Sequence, residues 1–327
     1  MVWRRLLSAG IAIAVVCAVD WLGSRYLNAY IYRVLVLCSI NVILALSLNL
    51  VNGITGQFSI GHAGFMAVGA YASAAYTVYA VPVWFGRSAE TGIAAAGAFL
   101  IAILVGGLVS AVAGFLVGLP SMRLRGDYLA IVTLGFGEII RVAILNIDAV
   151  GGARGFAGVP TRTNLAWVLG GAWLTYAVIR NLMRSYHGRA LLAIREDEIA
   201  AEALGVPTTR YKVTAFVIGA FFAGVAGALF SHYTYLHTNS FTFMKSIEVV
   251  IMVVLGGMGS LTGSILGATV LTALPELLRF ASAERLIIYS LLLIVLMIAR
   301  PQGILGRREL TLRLRPPRMK PDPALGS

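Results

Sequence analysis

The chain has 327 residues, of which 59% are hydrophobic and 12% are charged, and its mean hydropathy is +0.85. A globular domain carries about 25% charged residues, so this composition excludes an ordinary soluble domain. The formal net charge of +12 does not indicate nucleic acid as a partner, because Lys and Arg lie in loops and at the tail, where a membrane protein keeps them.

Apolar runs long enough to cross about 30 Å of hydrocarbon recur along the whole chain. The fold class is therefore all-α, a polytopic helical membrane protein with about 8–10 transmembrane or partly spanning helices. The short alternating segments of a β-barrel do not occur in the sequence. The apolar segments lie at about 6–22, 34–51, 60–82, 93–119, 127–147, 164–182, 213–236, 246–258, 260–280 and 286–300.

Two of these segments are unusual. The start of the chain resembles a signal peptide, but no A-x-A cleavage signal precedes Asp20, which predicts an uncleaved first span. The segment 246–258 provides only about 20 Å of helix, and it meets 260–280 at Gly256-Gly257-Met258-Gly259-Ser260. This pattern predicts a hairpin of broken helices.

The distribution of basic residues predicts the orientation in the membrane. If the N-terminus lies inside, the inside segments carry 16 basic residues and the outside loops carry 7, which is the bias that the positive-inside rule requires. Both termini are then cytoplasmic. We predict a transmembrane permease domain over 1–300, and a basic, disordered cytoplasmic tail over 301–327 that contacts anionic membrane lipid.

One stretch, 184–212, interrupts the apolar pattern, and we call it the polar segment. It holds nine of the charged residues, of both signs, and the charge count places it in the cytoplasm. Asp197 is expected to cap a short helix over 198–204, and Gly205 followed by Pro207 is a helix-stop signal. Arg195, Glu198 and Glu202 are expected to share one face of this helix, and Ile199 and Ala203 another.

A small helix with one charged and one apolar face is suited to a groove on a partner protein. The alternative is a solvated loop with incidental helicity. On the first interpretation, the candidate contact residues are Gly188, Arg189, Arg195, Glu196, Asp197, Glu198, Glu202 and Gly205.

A glycine-rich stretch over 52–71, NGITGQFSIGHAGFMAVGAY, is called the glycine segment. Small residues let helices approach closely in lipid, and unwound backbone at membrane depth must be buried in protein or face a water-filled cavity. The segment is therefore either a packing joint or part of a translocation pathway. On the second interpretation, its polar side chains Gln57, Ser59 and His62 would line the pathway.

Two charges lie near the middle of the predicted span 127–147. Glu138 and Arg141 are three residues apart on one helix face and can pair. Ionisable groups inside spans usually face a bundle interior or a cavity. The pair is either a further candidate for the pathway or a structural pair that orients the fifth span.

Several chemistries lack the residues that they need. No GxxxxGK[ST] motif occurs, so this chain does not bind ATP through its own P-loop. Four scattered histidines and two cysteines in apolar runs predict no metal site and no bound cofactor. An intramembrane serine protease would need a nucleophile motif around Ser59, and this context is missing, so no catalytic residue is assigned.

Five motifs occur in order: LNLVNGITGQFSIGHAGFMAVGAYASA, GDYLAIVTLGFGEIIR, GGARGFAGVP, GRALLAIREDEIAAEALGV and VLGGMGSLTGSILGA. Over roughly 40–300 the chain resembles the LivM/LivH-type permeases, the membrane subunits of ABC importers for branched-chain amino acids. Its length and polar segment are more similar to the LivM subunit than to the shorter LivH partner.

The resemblance implies several partners in the bacterial inner membrane and on its two sides. These are a second, LivH-like permease, two cytoplasmic ATPase subunits that use ATP-Mg, and a periplasmic amino-acid-binding protein. It also implies that 188–205 docks into an ATPase groove, although Ala200–Gly205 matches the usual Glu-Ala-Ala pattern of importer permeases only loosely.

Two alternatives to this function stay open at the level of sequence. The first is an importer of the same architecture that carries urea, short amides or aromatic acids. The second is a self-contained secondary transporter or channel, which would need no ATPase and would keep its transport after deletion of 188–205.

Overall fold

The computed structural model describes residues 25–85, 92–124, 126–278 and 303–306, and single positions at 20, 23, 290, 291, 294, 295 and 298. Most of the predicted span 6–22, most of the span 286–300 and most of the tail 301–327 lie outside these residues. The described part is helical, and its only strand-like pairing is one antiparallel bridge between Phe156 and Leu236. The main helices are α1 Ala29–Asn49, α2 His62–Ala75, α3 Gly92–Ser121, α4 Asp127–Leu145, α5 Leu165–Arg184, α6 Tyr186–Glu196, α7 Glu198–Ala203, α8 Thr208–Ser231, α9 Phe243–Gly256 and α10 Leu261–Leu277.

Five stretches of the described part are long and apolar enough to cross a membrane: Ala29–Ile54, His62–Trp84, Ala94–Ser121, Asp127–Leu145 and Thr208–Ser231. The prediction of a polytopic helical membrane protein is therefore confirmed. α10 is a shorter apolar helix. α5 has 20 residues and is capped by Asn164, whose side chain accepts a hydrogen bond from the Trp167 N–H at 3.1 Å.

The spans differ in the share of their residues that the rest of the chain buries. In the most apolar window, 83% of α1 and 72% of α8 is buried, against 22% of α4. Apolar burial alone does not drive helices together in lipid, so close backbone contact and interhelical hydrogen bonds matter more. Ser110 on α3 provides both, since its hydroxyl lies 3.0 Å from the Phe65 carbonyl of α2 and 2.7 Å from the Ala220 carbonyl of α8.

The predicted hairpin of broken helices is confirmed. α9 has 14 residues, about 21 Å of helix, and a turn over Gly257–Ser260 leads into α10. The end of α1 is also irregular, because Leu50–Ile54 forms one π-helical turn.

The connection between this π turn and α2 packs against the apolar helix α4. Gly61 lies against the Thr133 carbonyl, and Thr133 is about 9 Å along α4 from its first residue. Backbone groups of Ser59 and Ile60 in this connection are satisfied by side chains, as an apolar environment requires. Asn52 exchanges two hydrogen bonds of 3.1 Å with the Ser59 backbone, and the Ile60 N–H donates to Thr133 Oγ1.

Candidate functional site

The polar segment folds into two short helices rather than one. Ser185 precedes α6, and Asp197 separates α6 from α7. The predicted Asp197 cap is confirmed, because its Oδ1 accepts hydrogen bonds from the N–H groups of Ile199 and Ala200 at 2.9 and 3.0 Å. This carboxylate satisfies donors that the first turn of a helix leaves free.

The predicted helix stop is also confirmed. The Gly205 N–H donates to the Glu202 carbonyl at 2.9 Å, and the Val206 N–H donates to the Ala201 carbonyl at 3.1 Å. These two bonds form a Schellman motif, which needs a left-handed residue at its centre. Gly205 provides it with a φ of +82°.

The prediction of one shared charged face is wrong. Asp197 has an extended backbone with φ −155° and ψ 109°, so α6, which carries Arg195, ends at Glu196 and α7 begins at Glu198. The spacing i, i+3, i+7 holds only along one continuous helix. The two side chains therefore face different neighbours.

Glu198 pairs with a lysine that the sequence analysis did not single out. Its Oε2 lies 2.5 Å from Nζ of Lys212 on α8. The Lys212 side chain is 2% exposed and that of Glu198 is 23% exposed. The pair fixes the start of α7 to α8. The signal in the sequence was a pair of opposite charges on either side of the Gly205–Pro207 turn.

Arg195 turns towards the broken helices of the membrane domain. Its Nη1 donates to the Gly53 carbonyl in the π turn at 3.1 Å, and its Nη2 donates to Glu196 at 2.7 Å. A methyl group on Gly56 would lie 2.9 Å from Arg195 Cγ, and one on Gly259 would lie 2.9 Å from Nη1. Arg195 therefore lies between the π turn and the turn over Gly257–Ser260.

The other candidate contact residues of the polar segment have different environments. Gly188 is buried, where a methyl group would lie 2.4 Å from the Leu182 carbonyl of α5. The remaining candidates are exposed: Arg189, Glu196, Asp197, Glu202 and Gly205.

Three large apolar side chains of the polar segment are exposed as well. Leu204 is 85% exposed, Ile199 68% and Tyr186 67%. Of these three, only Ile199 was expected on an apolar helix face. The exposed surface of α7 is thus apolar at Ile199 and Leu204 and acidic at Glu202.

The five glycines of the glycine segment form a packing joint. A methyl group on Gly53 would lie 2.3 Å from the Gly259 N, on Gly64 2.8 Å from the Gly137 Cα, and on Gly69 2.2 Å from the Gly224 Cα. Gly56 contacts Arg195, and Gly61 contacts Thr133. Each glycine permits an approach that a side chain would prevent, as expected for a packing joint.

The polar side chains of this segment are largely enclosed. Ser59 is 1% exposed and His62 is 3% exposed, whereas Gln57 is half-buried. His62 Nε2 lies 2.7 Å from the hydroxyl of Ser47 on α1. The partner of His62 is thus Ser47 and not Ser59, so the structure does not bring together the Ser59–His62 pair that a protease would need.

The predicted pairing of Glu138 with Arg141 is confirmed, with Arg141 Nε donating to Glu138 Oε2 at 2.7 Å. Their side chains are 36% and 25% exposed. They lie beside a stripe along α4 that is exposed in the chain, formed by Tyr128, Ile131, Gly135, Ile139 and Val142.

Asn49 joins α1 to the turn between α9 and α10, a link that no pattern in the sequence predicted. Its Oδ1 accepts from the Gly259 N–H at 2.8 Å and its Nδ2 donates to the Ser260 carbonyl at 3.1 Å. The side chain is fully buried. Residues 303–306 lie against the end of α9 just before this turn, where the Ile304 N–H donates to the Leu255 carbonyl at 2.8 Å.

Within the described part of the chain, no three His, Cys, Asp or Glu residues form a group that could hold a metal ion. The polar groups of this region are instead engaged in helix caps, ion pairs and links between helices. Two broken helices and the polar segment meet here at Arg195, and we call this region the junction.

Comparison with known proteins gives a family for this architecture. The family described as "Branched-chain amino acid transport system / permease component" matches residues 30–300. The protein LivM of Salmonella typhimurium, named a high-affinity branched-chain amino acid transport system permease protein, is 38% identical over 321 residues, which cover 87% of this chain and 72% of the relative. LivM of Escherichia coli is 38% identical over 315 residues, covering 85% and 71%. LivH of Salmonella typhimurium is 27% identical over 303 residues, covering 87% and 97%. No solved structure gives a significant match.

Proposed function

The chain belongs to the permease family of branched-chain amino acid transport systems, and from this premise we propose that it is the LivM-like permease subunit of an ATP-driven importer. Its cargo is a branched-chain amino acid, delivered by a periplasmic binding protein. The chain lies in the bacterial inner membrane with both termini in the cytoplasm. It is a transport subunit and not an enzyme, and it binds no cofactor of its own.

The energy comes from two cytoplasmic ATPase subunits that bind ATP-Mg. The observation that carries this proposal is the exposed surface of α7, where Ile199 and Leu204 are 68% and 85% exposed beside the acidic Glu202. Large apolar side chains at the tip of a charged segment favour a protein partner. Since the sequence holds no P-loop, an ATPase is the partner that an importer permease requires.

A second, LivH-like permease lies against α4. Only 22% of the apolar window of α4 is buried within this chain, and Glu138 and Arg141 stand beside its exposed stripe. Charged groups in a span face protein or water and not hydrocarbon. We therefore place the translocation path along α4, between the two permeases, with membrane lipid on the outer faces of the other spans.

Gln57, Ser59 and His62 are the other candidates for this path. In the conformation described here, Ser59 and His62 are buried between α1 and α2, and only Gln57 has appreciable exposure. They would reach the path in a conformation in which these helices separate.

Transport then follows from movement of the polar segment. ATP-driven closure of the ATPase subunits moves the two coupling segments of the permease pair together. The spans rearrange and the path opens to the outside, where the binding protein releases its amino acid. Because α7 is fixed to α8 through Glu198 and Lys212, a force on α7 reaches a central span directly.

The test is co-purification of the full complex, followed by uptake in proteoliposomes. Leu204→Asp and Ile199→Asp each place a charge in the proposed contact, which should reduce ATPase binding about tenfold, equivalent to about 1.4 kcal/mol. Leu204→Ile keeps the apolar area and serves as the matched control. Wild-type levels of bound ATPase and of uptake in both Asp variants would exclude this contact.

The cargo is tested separately on the associated binding protein. Titration calorimetry with leucine, isoleucine and valine should give saturable binding, and urea, acetamide and benzoate should give none. Binding of one of the latter compounds alone would replace the proposed cargo and leave the architecture of the importer intact.

A further inference from the structure

We propose that Arg195 is a positioning residue that transmits movement of the polar segment to two broken helices at once, the π turn of α1 and the turn between α9 and α10. This inference rests on the proposed function as an ATP-driven permease. It assigns to Arg195 a role inside the membrane domain, in place of the contact with an ATPase that the sequence suggested.

The first link is the hydrogen bond from Arg195 Nη1 to the Gly53 carbonyl, 3.1 Å long, which joins residues 142 apart in the chain. Gly53 lies in the π turn Leu50–Ile54. Carbonyls next to a π turn lack the regular helical partner, and such turns are frequent at functional sites. A guanidinium is a suitable donor here, because it is always charged and carries several N–H groups in a rigid fork.

The second link is steric. Gly259 lies so close to Arg195 that an added methyl group would be 2.9 Å from Nη1, and Gly56 lies equally close to Cγ. The arginine therefore fills the space between two glycine-containing turns. Displacement of α6 is therefore expected to move the guanidinium and these two turns together.

The third observation concerns how Arg195 is solvated. Its side chain is 20% exposed, and its Nε is buried without a hydrogen-bond partner. An unpaired buried donor is unfavourable, so the hydrogen bonds of the guanidinium do not fully offset the free-energy cost of burying it. The hydrogen bond to Gly53 and the packing against the two turns must hold the guanidinium in this position.

The same burial argues against direct docking. A contact with a separate ATPase needs an accessible side chain, and Ile199, Glu202 and Leu204 on α7 are accessible. The two helices of the polar segment therefore have different contacts. α7 presents a surface to the partner, and the last turn of α6 is attached to the membrane domain. Asn49 links the same two turns to each other through Gly259 and Ser260, so they move together.

The first experiment compares Arg195→Gln with Arg123→Gln in the complete importer, reconstituted with its ATPase subunits and binding protein. Arg195→Gln removes the charge and the reach to Gly53, whereas Arg123→Gln makes the same exchange at an exposed arginine outside the polar segment. We expect Arg195→Gln to keep the ATPase subunits bound and to hydrolyse ATP. Substrate transported per ATP should fall at least about fivefold, a typical size for coupling between sites. Arg123→Gln should stay within twofold of wild type.

Loss of the ATPase subunits from Arg195→Gln would make Arg195 a docking residue and overturn the inference. Wild-type transport per ATP would overturn it as well. Arg195→Lys keeps the charge and loses the fork, so partial recovery of coupling is expected. If the wild-type complex itself contains no ATPase, the proposed function fails, which is distinct from failure of the Arg195 role alone.

A second measurement needs no change at Arg195. Spin labels on Ala193→Cys in α6 and Met258→Cys in the turn, both exposed positions, report the distance across the junction after Cys17 and Cys38 are replaced by serine. This distance should be equal in the nucleotide-free and vanadate-trapped complexes. A reference pair, Ala193→Cys with Leu108→Cys on α3, should change its distance.

These two distances decide the inference even if Arg195→Gln does not assemble. A junction distance that changes on trapping shows that α6 moves without the turn, and this excludes transmission through Arg195. A reference distance that stays constant shows that α6 does not move at all, and this excludes it too. Labelled complexes that retain uptake are the control for both.

Discussion

Lys212 Nζ lies 2.5 Å from Glu198 Oε2, and this ion pair connects the second turn of α8 to the first residue of α7. The two partners are not equivalent, since Lys212 is 2% exposed and Glu198 is 23% exposed. Removing one partner of a buried pair is costly because it leaves the other charge uncompensated. The effect of each substitution on stability therefore depends on whether the more buried partner, Lys212, keeps its charge.

We expect Glu198→Gln to destabilise the attachment of α7 by up to about 3 kcal/mol, because Lys212 would keep its charge in a buried position. Lys212→Met removes the buried charge and leaves Glu198 within reach of water, so it should be the milder change. Hydrogen exchange of residues 198–206 in the purified protein measures both. Faster exchange in Lys212→Met than in Glu198→Gln would contradict this asymmetry.

Asn49→Ala should destabilise the junction between α1 and the turn before α10. It leaves the Gly259 N–H and the Ser260 carbonyl without their partner, at roughly 1–3 kcal/mol for each buried group. Asn146→Ala is the control, because that side chain is exposed and bonds only to Val142 of its own helix. Thermal unfolding in detergent should show a lower Tm for Asn49→Ala alone, and equal values would indicate that water replaces the side chain.

Gly69→Ala should separate α2 from α8, because the added methyl group would lie 2.2 Å from the Gly224 Cα. Overpacking of this kind costs about 1–3 kcal/mol. The same change at Gly97 on α3 meets nothing within 4 Å and should leave stability unchanged or raise it slightly. The fraction of monodisperse protein after heating gives the comparison. An unaltered Gly69→Ala protein would show that the two helices can move apart without loss.

The pair Glu138–Arg141 is expected to act in transport through its pairing. Glu138→Gln and Arg141→Gln each leave one charge unpaired in a span. Each variant should therefore lower uptake by at least about tenfold or reduce assembly with the second permease. The double exchange Glu138→Arg with Arg141→Glu restores the pair in reverse and should recover part of the activity. Asp148→Asn, an exposed carboxylate just beyond α4, is the control. Full activity of both single variants would assign the pair a purely structural role.

The sequence predicted what is local. Apolar length defined the spans, and the structure moves their ends by only a few residues, as at 93–119 for α3 and 127–147 for α4. The Asp197 cap and the Gly205 stop follow from groups within three to five residues of each other, so their geometry is encoded in neighbouring positions. The glycine segment predicted close contacts between helices. It did not predict which helices make them.

Tertiary structure decided which way the charged residues of the polar segment point. One extended residue, Asp197, lies between α6 and α7, so Arg195 and Glu198 are on different helices and have different partners. Arg195 meets Gly53 across 142 positions and Asn49 meets Gly259 across 210. Such contacts depend on how separate helices assemble, and spacing along one helix carries no information about it. The sequence by itself determined a polytopic membrane chain with a polar segment between α5 and α8; only the packing of α1, α9 and α10 decided that Arg195 of this segment lies against the broken helices.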